Sequence, residues 1–139
     1  MQKKAIRLAT KSNYHAHTVP LFKEIEILPL PNLIEHSKIV FMYEYVNGKL
    51  PKSFQDIWIK NGDRNPLSLR NADKFYIPFV RCATKDTLPL KSFPSLWNEF
   101  STLDILRNCQ TKKQFSTTLK KHFLDNLIFV CHRNPCPVC

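Results

Sequence analysis

Three cysteines, Cys131, Cys136 and Cys139, stand within the last nine residues, Cys131-His132-Arg133-Asn134-Pro135-Cys136-Pro137-Val138-Cys139. Two thiolates two residues apart, as in Cys136-x-x-Cys139, can chelate one tetrahedral zinc ion, and Pro137 stiffens the turn between them. Cys131 supplies a third ligand. The fourth must come from His132, His122 or Cys109, and His132 is awkward because it adjoins Cys131. The spacing predicts one structural zinc on Cys131, Cys136 and Cys139, with a tail of free thiols as the plainer alternative. His15-x-His17 is a second possible ligand pair, but a polar turn role suits it better.

Catalytic patterns are scarce. Nucleotidyl transfer on two metal ions needs carboxylates close together. No two of the six aspartates are adjacent: Asp56, Asp63, Asp73, Asp86, Asp104 and Asp125. Glu24 and Glu26 are expected on different faces of one helix. The chain has neither a Gly-x-Ser-x-Gly elbow nor a His-Glu-x-x-His pair. Its two glycines, Gly48 and Gly62, are too few for a phosphate-cradling loop or a dinucleotide turn. No catalytic residue and no small-molecule substrate are expected for this chain alone.

The charge is lopsided, with 21 Lys and Arg against 11 Asp and Glu, a net of +10. Such a balance attracts polyanions, nucleic acid foremost. Lys3, Lys4, Arg7 and Lys11 fall in one basic stretch and Lys112, Lys113, Lys120 and Lys121 in another, while Arg70 and Arg81 flank the middle segment. Residues of this kind hold phosphates without regard to base sequence. Tyr14, Tyr76 and Phe79 have rings that can stack on bases, although packing is the commoner role.

Elements must position these groups. At 139 residues, 43% of them apolar and 12% aromatic, one domain with a real core is expected. No apolar run approaches the roughly 18–20 residues that span a bilayer, so no membrane partner is expected. The odd count of five cysteines without an export signal points to an intracellular protein, nuclear or cytoplasmic, with reduced thiols. The basic, Ser/Thr-bearing N-terminus also suits a mitochondrial presequence, which a nucleic-acid-binding helix explains as well.

Residues 2–10 predict a short helix carrying Lys3, Arg7 and Lys11 along one ridge, broken by Lys11-Ser12-Asn13. Pro20 can open a second helix, with Leu21, Ile25 and Leu28 in register before Pro29 and Pro31. Asn32 and Glu35 suggest a capped helix to about Asn47, stopped by Gly48. Its half Ile39–Tyr43 is apolar nearly all round and belongs in the core. Ser53 can cap a further helix holding Phe54, Ile57 and Trp58. The polar stretch 61–74, with Asn61-Gly62 and Asn65-Pro66, divides the chain into two halves. Phe75–Val80 reads as extended and Pro78 keeps it at an edge. Pro89 and Pro94 prolong the irregular stretch until Leu96, Trp97 and Phe100 restart helix. Thr111 with Gln114 predicts a capping box, opening a helix striped by Phe115, Leu119, Phe123 and Leu127.

Several blocks, in order, resemble one known family. They begin with Gln2-Lys3-Lys4-Ala5-Ile6-Arg7, Asn13-Tyr14-His15-Ala16-His17-Thr18 and Pro20-Leu21-Phe22. They continue through Leu28 to Tyr45, Asn47-x-x-Leu50-Pro51, Arg70-Asn71, Phe75-Tyr76-Ile77-Pro78, Arg81 and Pro94-x-Leu96-Trp97-Asn98, and end in the Phe115/Leu119 helix. This order resembles the segment that follows the polymerase core in reverse transcriptases of non-LTR retrotransposons, the jockey-like class. Related elements commonly have Thr where this chain has Cys82, and Gly where it has Phe93. The resemblance implies a helical thumb and post-thumb region that grips element RNA or a primer–template duplex. It also implies that the chemistry lies upstream, so no catalytic role transfers. Relatives can end in similar Cys-x4-Cys-x2-Cys tails.

The sequence thus predicts a mainly helical small single domain over residues 1–128, with an irregular or extended insertion near residues 75–94. A Cys-rich tail, a zinc-knuckle candidate, covers 129–139. The expected function is that of a C-terminal fragment of an RNA-directed DNA polymerase that contributes nucleic-acid binding. The alternatives are a small zinc-dependent adaptor module and a helical protein-interaction domain.

Overall fold

The computed structural model describes residues 2–64, 70–79, 81, 87–103 and 108–127. Among them are six α-helices: α1 (Gln2–Ala9), α2 (Thr18–Glu24), α3 (Leu30–Val46), α4 (Asn61–Arg64), α5 (Pro89–Phe100) and α6 (Lys112–Asp125). Lys52–Phe54 adds one 3-10 turn. The fold is mainly helical, as expected, and no strand forms among the described residues.

The central element is α3. It starts two residues before the expected Asn32 cap, at Leu30, with Pro31 in the first turn where a missing N–H does no harm. No local side chain caps it. A distant one does: Leu30 N–H donates to Gln2 Oε1 of α1 at 2.8 Å, and Gln2 Nε2 donates to the Leu28 carbonyl at 3.3 Å. The far end stops as predicted. Gly48 takes φ +64°, its N–H reaches the Tyr45 carbonyl at 3.0 Å, and Lys49 N–H reaches that of Glu44 at 2.9 Å. This is a Schellman motif, which needs a left-handed residue.

The same motif ends α1 and α2, but there Lys11 (φ 52°) and Glu26 (φ 50°) hold the left-handed position. Ser12 N–H reaches the Arg7 carbonyl at 2.9 Å and Ile27 N–H that of Phe22 at 3.0 Å. A non-glycine residue there bears roughly 1–2 kcal/mol of steric penalty, which the closing bonds and packing must offset. Two expectations change in consequence. Lys11 lies beyond α1, so the basic ridge ends at Arg7. Helix α2 stops at Glu24, so Ile25 and Leu28 pack from a turn and Glu26 is not on the helix at all.

Three buried clusters follow one another through the molecule. Ile39 and Tyr43 of α3 meet Leu28 and the α6 stripe Phe115, Leu119 and Phe123, with Leu96, Trp97 and Phe100 of α5 against them. The capping box is as predicted, Gln114 N–H donating to Thr111 Oγ1 at 3.2 Å and Thr111 N–H to Gln114 Oε1 at 3.3 Å, and so is the stripe up to Phe123; Leu127, its expected fourth member, lies past the end of the helix. Ile6 packs with Leu21 and Phe22 in a second cluster, which Leu127 joins. Met42, Trp58 and Phe75 form the third, beside Phe41, Tyr45 and Phe93.

Around the third cluster one local expectation changes. The predicted Ser53-capped helix is only the 3-10 turn after Pro51, halted at Asp56, which takes φ 66°. Trp58 is buried all the same, because Tyr45 Oη donates to its carbonyl at 2.9 Å and accepts its N–H at 3.2 Å. The polar stretch that joins the two halves is tied together at its two ends. Asn61 N–H reaches the Lys74 carbonyl at 2.9 Å, and Lys60 and Phe75 form an antiparallel bridge. A Cβ on Gly62 would lie 3.3 Å from Ala72, so the two arms approach too closely for a larger residue without adjustment. With α3 packed on both α5 and α6, the two predicted halves share one core.

The expected irregular stretch to residue 94 is also shorter than read. Helix α5 begins at Pro89, in the first turn where proline is tolerated. Pro94 lies inside the helix and is fully buried, so packing outweighs the hydrogen bond its ring removes. Of the stretch expected to be extended, Phe75 forms the bridge to Lys60, residues 76–79 form no regular element and Val80 lies outside the described residues; the anchor of Phe75 is a side chain. Phe75 N–H donates to Asn98 Oδ1 at 2.9 Å, and Asn98 Nδ2 donates to the Phe75 carbonyl at 2.8 Å. Both residues are buried, so the amide takes the place of a neighbouring strand.

Asn98→Ala leaves a buried N–H and a buried carbonyl unpaired and should lower stability by about 2–4 kcal/mol. Ser95→Ala, which removes a half-buried bond within α5, serves as the control and should change it by under about 1 kcal/mol. Denaturant titrations of both variants test this, and equal shifts would refute the clamp.

Candidate nucleic-acid interface

Local turn geometry decides what the first basic cluster can do. Lys3 and Lys4 are exposed on α1. Arg7 is half-buried: its Nε donates to the Ala16 carbonyl at 2.8 Å and its guanidinium stands 5.9 Å from the centre of the Tyr14 ring. Arg7 therefore pins the turn after α1. The His15 N–H closes the same turn on Asn13 Oδ1 at 3.0 Å, and its ring meets Tyr14 edge-on at 5.4 Å. His15 thus takes the expected turn position, while His17 is the residue that precedes α2.

The four lysines of α6 do not form one surface. Lys112 Nζ pairs with Glu44 Oε1 of α3 at 2.8 Å. Lys120 and Lys121 lie around the helix from it, lining a shallow groove against α2. Lys113 is one turn before Thr117, which lines the same groove, so it shares that side. Lys23 of α2 lines it too and donates from Nζ to the Asp125 carbonyl at 3.4 Å. Lys23 stands alone in the chain, outside both basic stretches, and joins the others only because α2 packs on α6. Glu26 and Asp125 also line the groove and weaken its positive field.

Helices α1 and α6 come together through α2, which packs on both. Leu127, just past α6, reaches the cluster of Ile6, Leu21 and Phe22. Only the C-terminal end of α6 thus comes near α1; Lys112 and Lys113 stand at its other end, beside Glu44 near the C-terminus of α3. Arg70 and Arg81 are exposed on the other arm. There Arg64 stacks its guanidinium 3.9 Å from the centre of the Tyr76 ring, a pair invisible in sequence because twelve residues separate its members. Phe79 is 86% exposed, the most exposed of the large apolar side chains described. An aromatic ring in water is the form a base-stacking position takes, and Arg81 stands two residues further along the chain.

Cys131, Cys136 and Cys139 lie outside the described residues, as does His132. Of the other fourth-ligand candidates, Cys109 is half-buried against the first cluster, and His122 meets the Phe100 ring edge-on at 5.9 Å. Among the described residues, no three His, Cys, Asp or Glu side chains converge to hold a metal ion. Among the same residues, no helix is long and apolar enough to cross a membrane.

Comparison of the chain with protein-family models, curated proteins and solved structures finds no match.

The split of the α6 lysines makes a prediction. Lys113→Ala should reduce the salt dependence of nucleic-acid binding by about one contact. Lys112→Ala should change it less, because Glu44 already neutralises that charge. Equal slopes for the two variants, measured by fluorescence anisotropy, would contradict the geometry.

Proposed function

We propose that this chain is a nucleic-acid-binding module, the C-terminal thumb and post-thumb region of a non-LTR retrotransposon reverse transcriptase. The observation that carries the binding reading is electrostatic. A net charge of +10 is carried in large part by exposed side chains: Lys3 and Lys4 on α1, Lys113 and Lys121 on α6, and Arg70 and Arg81 between them. Each phosphate they meet releases a condensed counterion, so binding is driven by salt-sensitive, sequence-independent contacts.

The ancestry rests on the ordered blocks of the sequence. Two of those blocks are joined in space, since Asn98 of one clamps Phe75 of the other. A physical pairing of this kind is a reason for two short motifs to occur together. The ligand is element RNA or a primer–template duplex, gripped on its backbone, with Tyr14 and Phe79 available to unpaired bases. A single zinc on Cys131, Cys136 and Cys139 would order the tail and leave the helical core unchanged.

Fluorescence anisotropy with labelled RNA and duplex DNA across a salt series tests the binding reading. Log K should fall steeply with log salt. Lys3→Ala/Arg7→Ala and Lys120→Ala/Lys121→Ala should each reduce the slope by about two units, equally for all base sequences. Affinity that is flat with salt would favour a protein-interaction domain instead.

Catalysis is tested by primer extension on an RNA template with Mg²⁺ or Mn²⁺. No incorporation above a protein-free blank is expected from the isolated chain, because carboxylates able to hold two ions belong to the upstream core. Incorporation from a preparation free of host polymerases would overturn the assignment.

For zinc, purified protein should carry about one ion per chain and Cys136→Ser should lose it. Metal-free protein with every tail thiol reactive would exclude the site.

A further inference from the structure

The N-terminal half of helix α3 is apolar also on the side away from Ile39, and the described residues leave that part of it exposed. Ile39, at 0% exposure, faces the core. On the opposite face, at helical spacing, stand Leu30 (55% exposed), Leu33 (46%) and Ile34 (48%), followed by Ser37 and the half-buried Phe41. Phe93 of α5 meets Phe41 edge-on at 5.5 Å. Together Leu33, Ile34, Ser37, Lys38, Phe41 and Phe93 line an open groove between α3 and α5. Leu90, three residues before Phe93 and 53% exposed, extends it. A contiguous apolar surface of this kind marks an interaction site rather than scattered exposed leucines.

We infer that this groove takes an amphipathic helix with acidic flanks, contributed by another protein. The length fits: from Leu30 to Phe41 the stripe runs about 16 Å, three turns of helix, at 1.5 Å per residue. The charge fits as well. Lys38 is the one ionisable side chain among the described lining residues, with its Nζ 6.0 Å from the centre of the Phe93 ring. A carboxylate beside the docked helix would find it there. A second copy of this chain is the poorer occupant, because pairing the faces would set Lys38 against Lys38 and bring two +10 bodies together. Nucleic acid is a poor occupant too, since its backbone offers nothing to cover leucine and phenylalanine. The inference therefore stands apart from the nucleic-acid reading.

The probes are two labelled synthetic helical peptides with the same leucines at i, i+3, i+4 and i+7. One has glutamate at the flanking positions and the other lysine. Fluorescence anisotropy at fixed salt should show the acidic peptide binding at least about threefold tighter, the effect of one partly exposed charge pair. Lys38→Glu should reverse that order. Ile34→Asp and Leu33→Ser should each weaken the acidic peptide about tenfold or more, while the circular-dichroism melt and RNA affinity stay as in the wild type. These positions are exposed, so the fold should tolerate both changes. Equal binding of the two peptides, or none, overturns the proposal. So does a wild-type dimer in light scattering that Ile34→Asp converts to monomer, or flotation with anionic phosphatidylserine vesicles that Ile34→Asp abolishes.

Discussion

A single helix with apolar residues nearly all round must find cover on several sides at once, and the architecture around α3 is the answer to that constraint. Ile39 and Tyr43 draw in α6 and α5, while Met42 a little further round draws in Trp58 and Phe75. Neither α5 nor α6 has another apolar surface of comparable extent among the described residues to pack on. Burying a large apolar side chain contributes about 1.5–3 kcal/mol, so a helix that buries several organises whatever lies near it. Polar bonds then set the registers. His36 Nε2 donates to the Ser116 carbonyl at 2.9 Å, and Tyr43 Oη donates to that of Cys109 at 3.3 Å. These bonds fix α6 and the loop before it at defined positions along α3.

The same helix connects the core with the charged surface. Glu44, one residue after the buried Tyr43, holds Lys112 at the start of α6. At the other end, Gln2 of α1 caps α3, so the helix carrying Lys3, Lys4 and Arg7 is fixed to the central element from its first residue. Where the basic groups stand is thus a consequence of how the core closes. It is not a property of two independent basic helices.

Three Schellman endings show how a chain with two glycines manages its turns. Gly48 serves one; Lys11 and Glu26 serve the others against their steric preference. The closure after α1 lets Arg7 reach the Ala16 carbonyl, and the closure after α2 lets Leu28 enter the first cluster. Local strain there is balanced by tertiary packing, which sets these two turns apart from the Gly48 turn that local preference alone favours.

What the sequence determined by itself was local: the Thr111 capping box and the Phe115, Leu119 and Phe123 stripe, the Gly48 stop, the short first helix, and the central place of Ile39–Tyr43. Each depends on residues within one or two turns, where preference and pattern agree. The proline-rich and turn regions were decided only in three dimensions. Pro94 sits in a helix because its ring is buried, Trp58 is buried without a helix because Tyr45 meets its backbone, and Asn98 replaces a strand partner for Phe75. The basic residues were legible as a set, but not their separation. Lys112 parts from Lys113 because α3 supplies Glu44 on one side, and Lys23 joins Lys120 because α2 happens to pack there. Helix periodicity places a side chain on a face; which neighbour meets that face depends on contacts between residues far apart in the chain, which no local pattern records.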